Sequence, residues 1–211
     1  MRCSSAAVIG PKGTPPMHFI KKWAMPSNHQ DSLKNSKRLF HISGEPGIDM
    51  FEPRPSPSFF AGISGDVVFA IEERLVHNYL LPRDCPRVTY YVGDKTTQED
   101  KQAFFVESRA DFVVIVESGW YERIKNTRLY RYELPAEGFA LLDECAGYYV
   151  CYKAVEPVSI DVVTDIIGEL LKRNVELRFT PSLVKIAEAV GKSTLNFSMI
   201  RMRNAVSEPR I

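Results

Sequence analysis

The sequence has few cysteines and histidines, and neither residue type is clustered. Its four cysteines form no C-x-x-C pair, and four cysteines in a chain of 211 residues do not indicate a disulfide scaffold. The histidines and cysteines also lack the close spacing of structural zinc ligands. This pattern favours reduced thiols in a cytoplasmic protein and predicts no metal site.

Long apolar runs are absent as well. No run approaches the roughly 18 residues that a membrane-spanning helix requires, so an integral membrane protein is not predicted. The chain is 45% hydrophobic, which is enough to bury a substantial core, and its length suits one domain with a tail. We therefore expect a soluble, globular protein.

Basic residues are scarce beyond the N-terminal segment. Residues 1–38 contain seven Lys or Arg and one acidic residue, whereas the rest of the chain contains 20 basic and 25 acidic residues. Proteins that bind a nucleic-acid backbone usually present a basic face. The charge distribution therefore argues against nucleic acid as the principal partner.

The N-terminal segment, residues 1–37, has little apolar periodicity and is rich in Ser, Pro, Asn and Lys. Such a segment cannot bury enough surface to offset its chain entropy, so it is predicted to be a disordered basic tail. Its composition resembles a mitochondrial transit peptide, but it lacks an Arg-rich amphipathic helix. An accessory tail and a gene start placed too far upstream, with internal starts at Met17 and Met25, are the other interpretations.

The common catalytic and nucleotide-binding signatures are missing. The sequence contains no G-x-G-x-x-G, G-x-x-x-x-G-K-[ST], G-x-S-x-G or H-E-x-x-H motif. Residues Gly191 to Thr194 are similar to the end of a phosphate loop, but Ile186 stands where the upstream glycine is needed. No trio of nucleophile, base and orienting acid can be singled out either.

Short apolar runs and alternation predict an α+β fold. Strands are predicted at 38–43, 66–71, 87–92, 111–117, 127–134, 147–153 and 175–179. The strongest helical period covers 160–173, other helices are predicted over 72–81, 98–107 and from Thr180 to Val190, and 194–203 fits strand or helix. We expect one domain over 38–205, with a mixed or antiparallel twisted sheet flanked by two or three helices, and a short tail at 206–211.

Most residues able to do chemistry lie between Arg38 and Arg87. Arg83 and Arg87 flank one polar turn, with Asp84 inside it, and Arg54 lies in a proline-rich segment upstream. A guanidinium fork suits phosphate or carboxylate recognition. Structural salt bridges, for example from Arg83 to Asp84 or Glu52, are the alternative.

His41 and Cys85 each have two interpretations. His41 lies inside a predicted strand, facing away from Phe40 and Ile42, and is either a core histidine or a ligand contact. Cys85 lies close to two arginines and is either a stabilised thiolate or a small buried residue.

Several stretches resemble an uncharacterised family of mostly bacterial proteins, to which no activity is assigned. The resemblance covers about residues 38 to 205. It is carried by Leu39 to Ile48, Phe51 to Pro55, Val68 to Ile71, Asn78 to Val88, Glu117 to Trp120, Tyr132 to Glu137, Ala146 to Val150 and Ile200 to Ala205.

A second resemblance bears on mechanism. A strand with an aromatic-His pair, followed by a Phe-Ala strand and a helix bearing Tyr, resembles the opening of ADP-ribosyltransferase-like folds. The resemblance implies that His41 and Tyr79 line a pocket for nicotinamide adenine dinucleotide (NAD), used as substrate. It also implies a late catalytic glutamate that polarises the ribose, for which Glu156 is the candidate and Glu117 and Glu133 are alternatives.

Two functions follow from these residues. The first is a nucleotide-binding or NAD-binding domain with transferase chemistry, in which His41, Tyr79 and Glu156 act on a ligand held by Arg54, Arg83, Asp84 and Arg87. The second is a non-catalytic interaction module that presents a surface rich in Tyr and Arg, since protein interfaces favour both residue types. The oligomeric state is left open.

We expect deletion of residues 1–37 to leave the melting temperature almost unchanged. These residues supply few apolar side chains, and what they bury does not exceed the entropy cost of ordering them. Thermal melts of the full-length and truncated chains measure the difference. A cooperative loss of several degrees would show instead that Phe19, Ile20 and Trp23 dock on the domain.

Overall fold

Ten strands form two sheets in the residues that the computed structural model describes, 37–56 and 63–206. The strands are β1 (Leu39–Ser43), β2 (Val68–Glu72), β3 (Arg87–Tyr91), β4 (Phe112–Glu117), β5 (Leu129–Leu134), β6 (Ala140–Asp143), β7 (Tyr148–Cys151), β8 (Ser159–Val163), β9 (Val175–Thr180) and β10 (Asn196–Ile200). The α-helices are α1 (Gln98–Phe105), α2 (Tyr121–Asn126), α3 (Ile166–Leu171) and α4 (Val184–Lys192). Short 3-10 helices cover Glu73–Asn78, Ser118–Trp120 and Met202–Asn204. The predicted α+β class is confirmed.

The larger sheet is antiparallel and has the order β6-β7-β2-β1-β5-β8. Side chains alternate across it, as the pleat requires. Phe40, Ile71 and Tyr148 face the core between the two sheets, whereas Leu39 and Tyr149 face a second core on the opposite side. Both faces of this sheet therefore bury apolar residues.

The smaller sheet has the order β10-β3-β4-β9, with β4 and β9 parallel and the other pairs antiparallel. Val114 and Val116 of β4 enter the core between the sheets. Val113 and Ile115 enter a third core beneath α1 and α4. The strand predicted at 111–117 is therefore internal to its sheet and covered on both faces.

The helix predicted over 160–173 is wrong. Its first part is strand β8, which pairs with β5 from Ser159 to Val163, and only the second part is helical, as α3. Asp165 separates the two elements, because its carboxylate accepts a hydrogen bond from the Gly168 N–H at 2.8 Å and caps the helix. The apolar positions fit a helical period by coincidence, and the β-branched Ile160 and Val162 favour the strand.

Several smaller predictions need correction. The predicted sheet is two sheets, and the helix over 72–81 is a 3-10 helix of six residues, Glu73–Asn78. The segment 118–126, for which no helix was predicted, contains a 3-10 helix and α2. The helix predicted from Thr180 begins later, because α4 starts at Val184. The exposed strand β6 was not predicted, and the ambiguous segment 194–203 contains β10.

The predicted N-terminal and C-terminal tails lie outside the described residues, apart from Lys37 and Val206. Lys37 donates a hydrogen bond to the Tyr149 hydroxyl at 2.8 Å. Cys85 and Cys151 are buried free thiols. No helix in the described part of the chain is long and apolar enough to cross a membrane.

We expect Asp165→Ala to destabilise the protein by about 1 kcal/mol, the usual cost of removing a helix N-cap. If residues 160–173 formed one continuous helix, Asp165→Ala would stabilise the protein, since alanine has a higher helix propensity than aspartate. Urea unfolding of the parent and variant gives the sign. Asp165→Asn is the matched control, because it keeps an oxygen acceptor and should retain most of the stability.

Candidate functional site

The candidate site lies where strands β1 and β2 separate. Their pairing covers Leu39 with Glu72 and Phe40 with Ile71, after which β1 continues beside β5 only. The proline-rich segment enters here, and Arg54 forms two backbone hydrogen bonds with Val67, at 3.0 and 3.1 Å. The result is a fork between β1 and β2.

His41 lies in this fork, half-buried. Its Nδ1 is 3.0 Å from the carbonyl oxygen of Phe69, and its ring packs on Phe51 with centroids 4.7 Å apart. A carbonyl can only accept, so Nδ1 carries the proton and the neutral ring keeps Nε2 as an acceptor. Burial lowers the pKa of His41, the bond to Phe69 opposes this, and the charges of Arg54 and Arg83 lower the pKa further.

Arg54 and Arg83 are exposed, and neither guanidinium forms an ion pair or hydrogen bond with the described residues. Within those residues, the alternative salt bridges of Arg83 to Asp84 or Glu52 are not formed. The turn is held by its backbone instead: the carbonyl of Arg83 accepts from Arg201 Nε at 3.2 Å, and that of Asp84 accepts from Asn204 Nδ2 at 2.7 Å.

Arg201 was not singled out from the sequence. It follows β10 and has a left-handed backbone conformation, with φ of 55°. Its charge lowers the pKa of both Tyr79 and Arg87, although it is not the main influence on either. We call Arg54, Arg83 and Arg201 the cationic rim. Arg201 lies in the Ile200 to Ala205 stretch that carries the family resemblance, but nothing in that stretch predicts its place beside Arg83.

Arg87 lies beneath the rim and is only 2% exposed. Its Nε donates to the carbonyl of Asn78 at 2.8 Å, and its Nη1 donates to the carbonyls of Cys85 at 2.9 Å and Pro82 at 3.4 Å. Burial lowers the pKa of Arg87, which the nearby Tyr79 opposes. These contacts indicate a structural role for Arg87. Its contact with a ligand stays a prediction.

Tyr79 belongs to the same interior network. Its hydroxyl donates to the Tyr148 hydroxyl at 2.8 Å, and the guanidinium carbon of Arg87 lies 5.6 Å from its ring centroid. Burial raises the pKa of Tyr79 well above its usual value, and burial likewise raises the pKa of Cys85 to about 12. Both groups are therefore neutral at physiological pH, and Cys85 is not a thiolate.

The three candidate glutamates occupy different environments. Glu117 is 3% exposed and accepts from the Val206 N–H at 2.9 Å. Glu133 is held by Arg38, whose hydrogen bond lowers the pKa of Glu133. Glu156 is exposed, without a hydrogen bond or ion pair to the described residues, and it borders a shallow pocket of about 600 Å³.

Phe51 connects Glu156 to the fork. Its backbone forms two hydrogen bonds with Val155, at 2.8 and 3.0 Å, and its ring packs on His41. Asp49, two residues before Phe51, borders the same pocket as Glu156. His41 and Glu156 thus lie on either side of the isolated β-bridge between Phe51 and Val155.

The structure places the predicted site residues in different positions. His41, Arg54 and Arg83 come together at the fork, Tyr79 and Arg87 lie beneath it, and Glu156 borders the adjoining pocket. Asp84 is exposed on the turn beside Arg83. The tyrosines that suggested an interaction surface are largely buried: Tyr90, Tyr91, Tyr132, Tyr148 and Tyr149. In the described residues no group of three or more His, Cys, Asp or Glu is arranged to hold a metal.

A family model described as a family of unknown function (DUF6886) matches residues 40–205. No curated protein and no solved structure matches the chain. The resemblance to ADP-ribosyltransferase-like folds accordingly stays a prediction.

We expect Arg87→Met to destabilise the protein by about 2–4 kcal/mol, because each buried carbonyl left without its donor costs about 1–3 kcal/mol. Arg83→Met, in the same turn, is the matched control and should change stability by less than about 0.5 kcal/mol, as exposed positions usually do. Urea unfolding measures both. A small loss for Arg87→Met would indicate that its guanidinium is available to a ligand.

Proposed function

The chain belongs to the DUF6886 family of unknown function, and from its site we propose that it binds a nucleotide or dinucleotide through the cationic rim. The observation that carries the proposal is the unbalanced positive charge at the fork. Arg54 and Arg83 both act on the half-buried His41, and neither has an acidic partner among the described residues. An anionic ligand supplies the missing charge.

The unpaired arginines stand out because the rest of the domain carries an excess of acidic residues. Beyond residue 38 the chain has more acidic than basic residues, and most arginines near carboxylates are paired with them, as in Arg38 with Glu133 and Arg131 with Asp161. Arg54 and Arg83 differ from these paired arginines because their side chains are exposed and unpaired within the described residues. Their backbone is held in place by hydrogen bonds, from Arg54 to Val67 and from Arg201 to the carbonyl of Arg83. Guanidinium forks held in this way suit the oxygen atoms of a phosphate or diphosphate.

His41 couples ligand binding to protonation. In the free protein, burial and the two arginines disfavour the imidazolium. A bound diphosphate offsets the positive potential and accepts a hydrogen bond from a protonated Nε2, so binding raises the pKa of His41. Between the pKa of the free form and that of the complex, binding takes up a proton and the affinity rises as pH falls.

Glu156 extends the proposal to transferase chemistry. Cleavage of the bond between nicotinamide and ribose requires a carboxylate against the ribose, as the resemblance to ADP-ribosyltransferase-like folds implies. Of the three candidates, Glu117 is buried and Glu133 is paired, whereas Glu156 is exposed at a pocket beside the fork. NAD, as substrate, would then place its diphosphate at the rim and its ribose toward Glu156.

Isothermal titration calorimetry with ADP, oxidised NAD and inorganic phosphate tests the binding. We expect Arg54→Gln and Arg83→Gln each to weaken ADP or NAD binding by tenfold or more, since a charge-assisted hydrogen bond contributes about 1.5–3 kcal/mol. Arg109→Gln is the matched control, because Arg109 is exposed and unpaired within the described residues but lies outside the rim. Absence of heat with all three ligands, or an equal effect of the control, would contradict the proposal.

Two further arms separate binding from chemistry. The diphosphate oxygens of NAD do not titrate near neutral pH, so they do not themselves make NAD binding depend on pH in this range. We therefore expect NAD affinity to rise from pH 7.5 to 6. Loss of this rise in His41→Asn would show that the proton taken up on binding is carried by His41. For the chemistry, hydrolysis of NAD, in which water takes up the ADP-ribosyl group as nicotinamide leaves, should be lost in Glu156→Gln while NAD binding is kept. Binding without nicotinamide release in the parent would leave a nucleotide-binding protein and remove the transferase part.

A further inference from the structure

The two edges of the larger sheet differ in how they are protected. At one edge, the pairing of β6 with β7 is interrupted by a bulge between Leu141 and Asp143, and Glu144 follows directly. Bulges and charges are common ways of preventing an edge strand from pairing with another chain. This edge is therefore poorly suited to further pairing.

The opposite edge, β8, has no bulge, and its one charged residue, Asp161, is paired with Arg131 of the neighbouring strand. It pairs with β5 in regular register along its whole length, from Ser159 to Val163, and no other strand in the described residues lies beside it. The strand contains no lysine, arginine or proline. Its outer backbone groups are available to an additional strand, which makes β8 a template for pairing.

The side chains of this edge favour an apolar partner. Val158, Ile160 and Val162 alternate along the chain and so share one face of the sheet, where they are 67%, 44% and 56% exposed. On the other face, Asp161 is bound to Arg131 at 2.8 Å and Val163 is buried. The edge therefore presents a short apolar row.

This row is complementary to itself in one antiparallel register. A twofold axis through Ile160 places Ile160 opposite its own copy and Val158 opposite Val162, so apolar side chains meet apolar side chains. Asp161 then lies opposite Ser159. Moving the axis to Asp161 would oppose two carboxylates, and moving it to Ser159 would place Pro157 opposite Asp161, within the ladder.

We propose that β8 pairs with β8 of a second copy of this chain, about a twofold axis at Ile160, and that the two six-stranded sheets join into one. The self-complementary row favours a second copy as the partner, because every apolar position meets an apolar position in this one register. The pocket bordered by Glu156, Val158 and Ile160 adjoins this axis, so a second copy also adds a wall to it.

Sedimentation velocity of the full chain over a range of concentrations tests the proposal. We expect a reversible dimer, and we expect Ile160→Lys to raise its dissociation constant at least tenfold while the melting temperature of the monomer changes little. Leu141→Lys, at the opposite edge, is the matched control, because Leu141 is 48% exposed and also apolar. A parent chain that stays monomeric up to about 0.5 mM, or an equal effect of the two lysines, would overturn the proposal.

Cysteine cross-linking tests the register without relying on the lysine variant. The proposed axis brings the two copies of residue 160 within the roughly 7 Å that a disulfide spans between Cα atoms, so Ile160→Cys should form a covalent dimer on mild oxidation. The two copies of residue 162 would be four residues out of register, about 13 Å apart, so Val162→Cys should not. Equal cross-linking of both variants, or none for Ile160→Cys, would overturn the register and the interface.

Discussion

The structure depends on one buried cation. Moving a guanidinium out of water costs much free energy unless its N–H groups find hydrogen-bond acceptors. Those of Arg87 find three backbone carbonyls. These carbonyls belong to the connection that leads from the 3-10 helix after β2 to the start of β3. Because that connection is the first of three passages between the two sheets, the bonds to Arg87 fix how the chain first crosses from the larger sheet to the smaller one.

The same connection explains how the site is presented. Arg83 and Arg87 are four residues apart, yet the charge of Arg87 is satisfied inside by carbonyl dipoles while that of Arg83 is left at the surface. The backbone of the exposed turn is held a second time from outside, by Arg201 and Asn204. A surface arginine on so constrained a turn loses little backbone freedom when it binds a ligand, which favours recognition.

Much of the fold could be predicted, because strands such as β4 and β7 carry dense apolar signals. The boundary at Asp165 could not, since apolar residues at 162, 163, 166 and 167 satisfy a helical period in either structure. For the site, alternation correctly separated His41 from Phe40. Neither the burial of Arg87 nor the approach of Arg201 could be predicted, because their partners are backbone carbonyls, and side-chain patterns do not show which carbonyls a guanidinium will reach.

The order of the strands has a consequence for folding kinetics. The chain begins the larger sheet with β1 and β2, leaves it for β3 and β4, returns for β5 to β8, and only then completes the smaller sheet with β9 and β10. Parallel β9 reaches its place beside β4 across that entire return. With so many contacts between distant segments, the contact order is high, and folding on the millisecond to second scale is typical of such topologies. Neither sheet can be obtained as a contiguous fragment, so a nascent chain remains incomplete until its last strands have been synthesised.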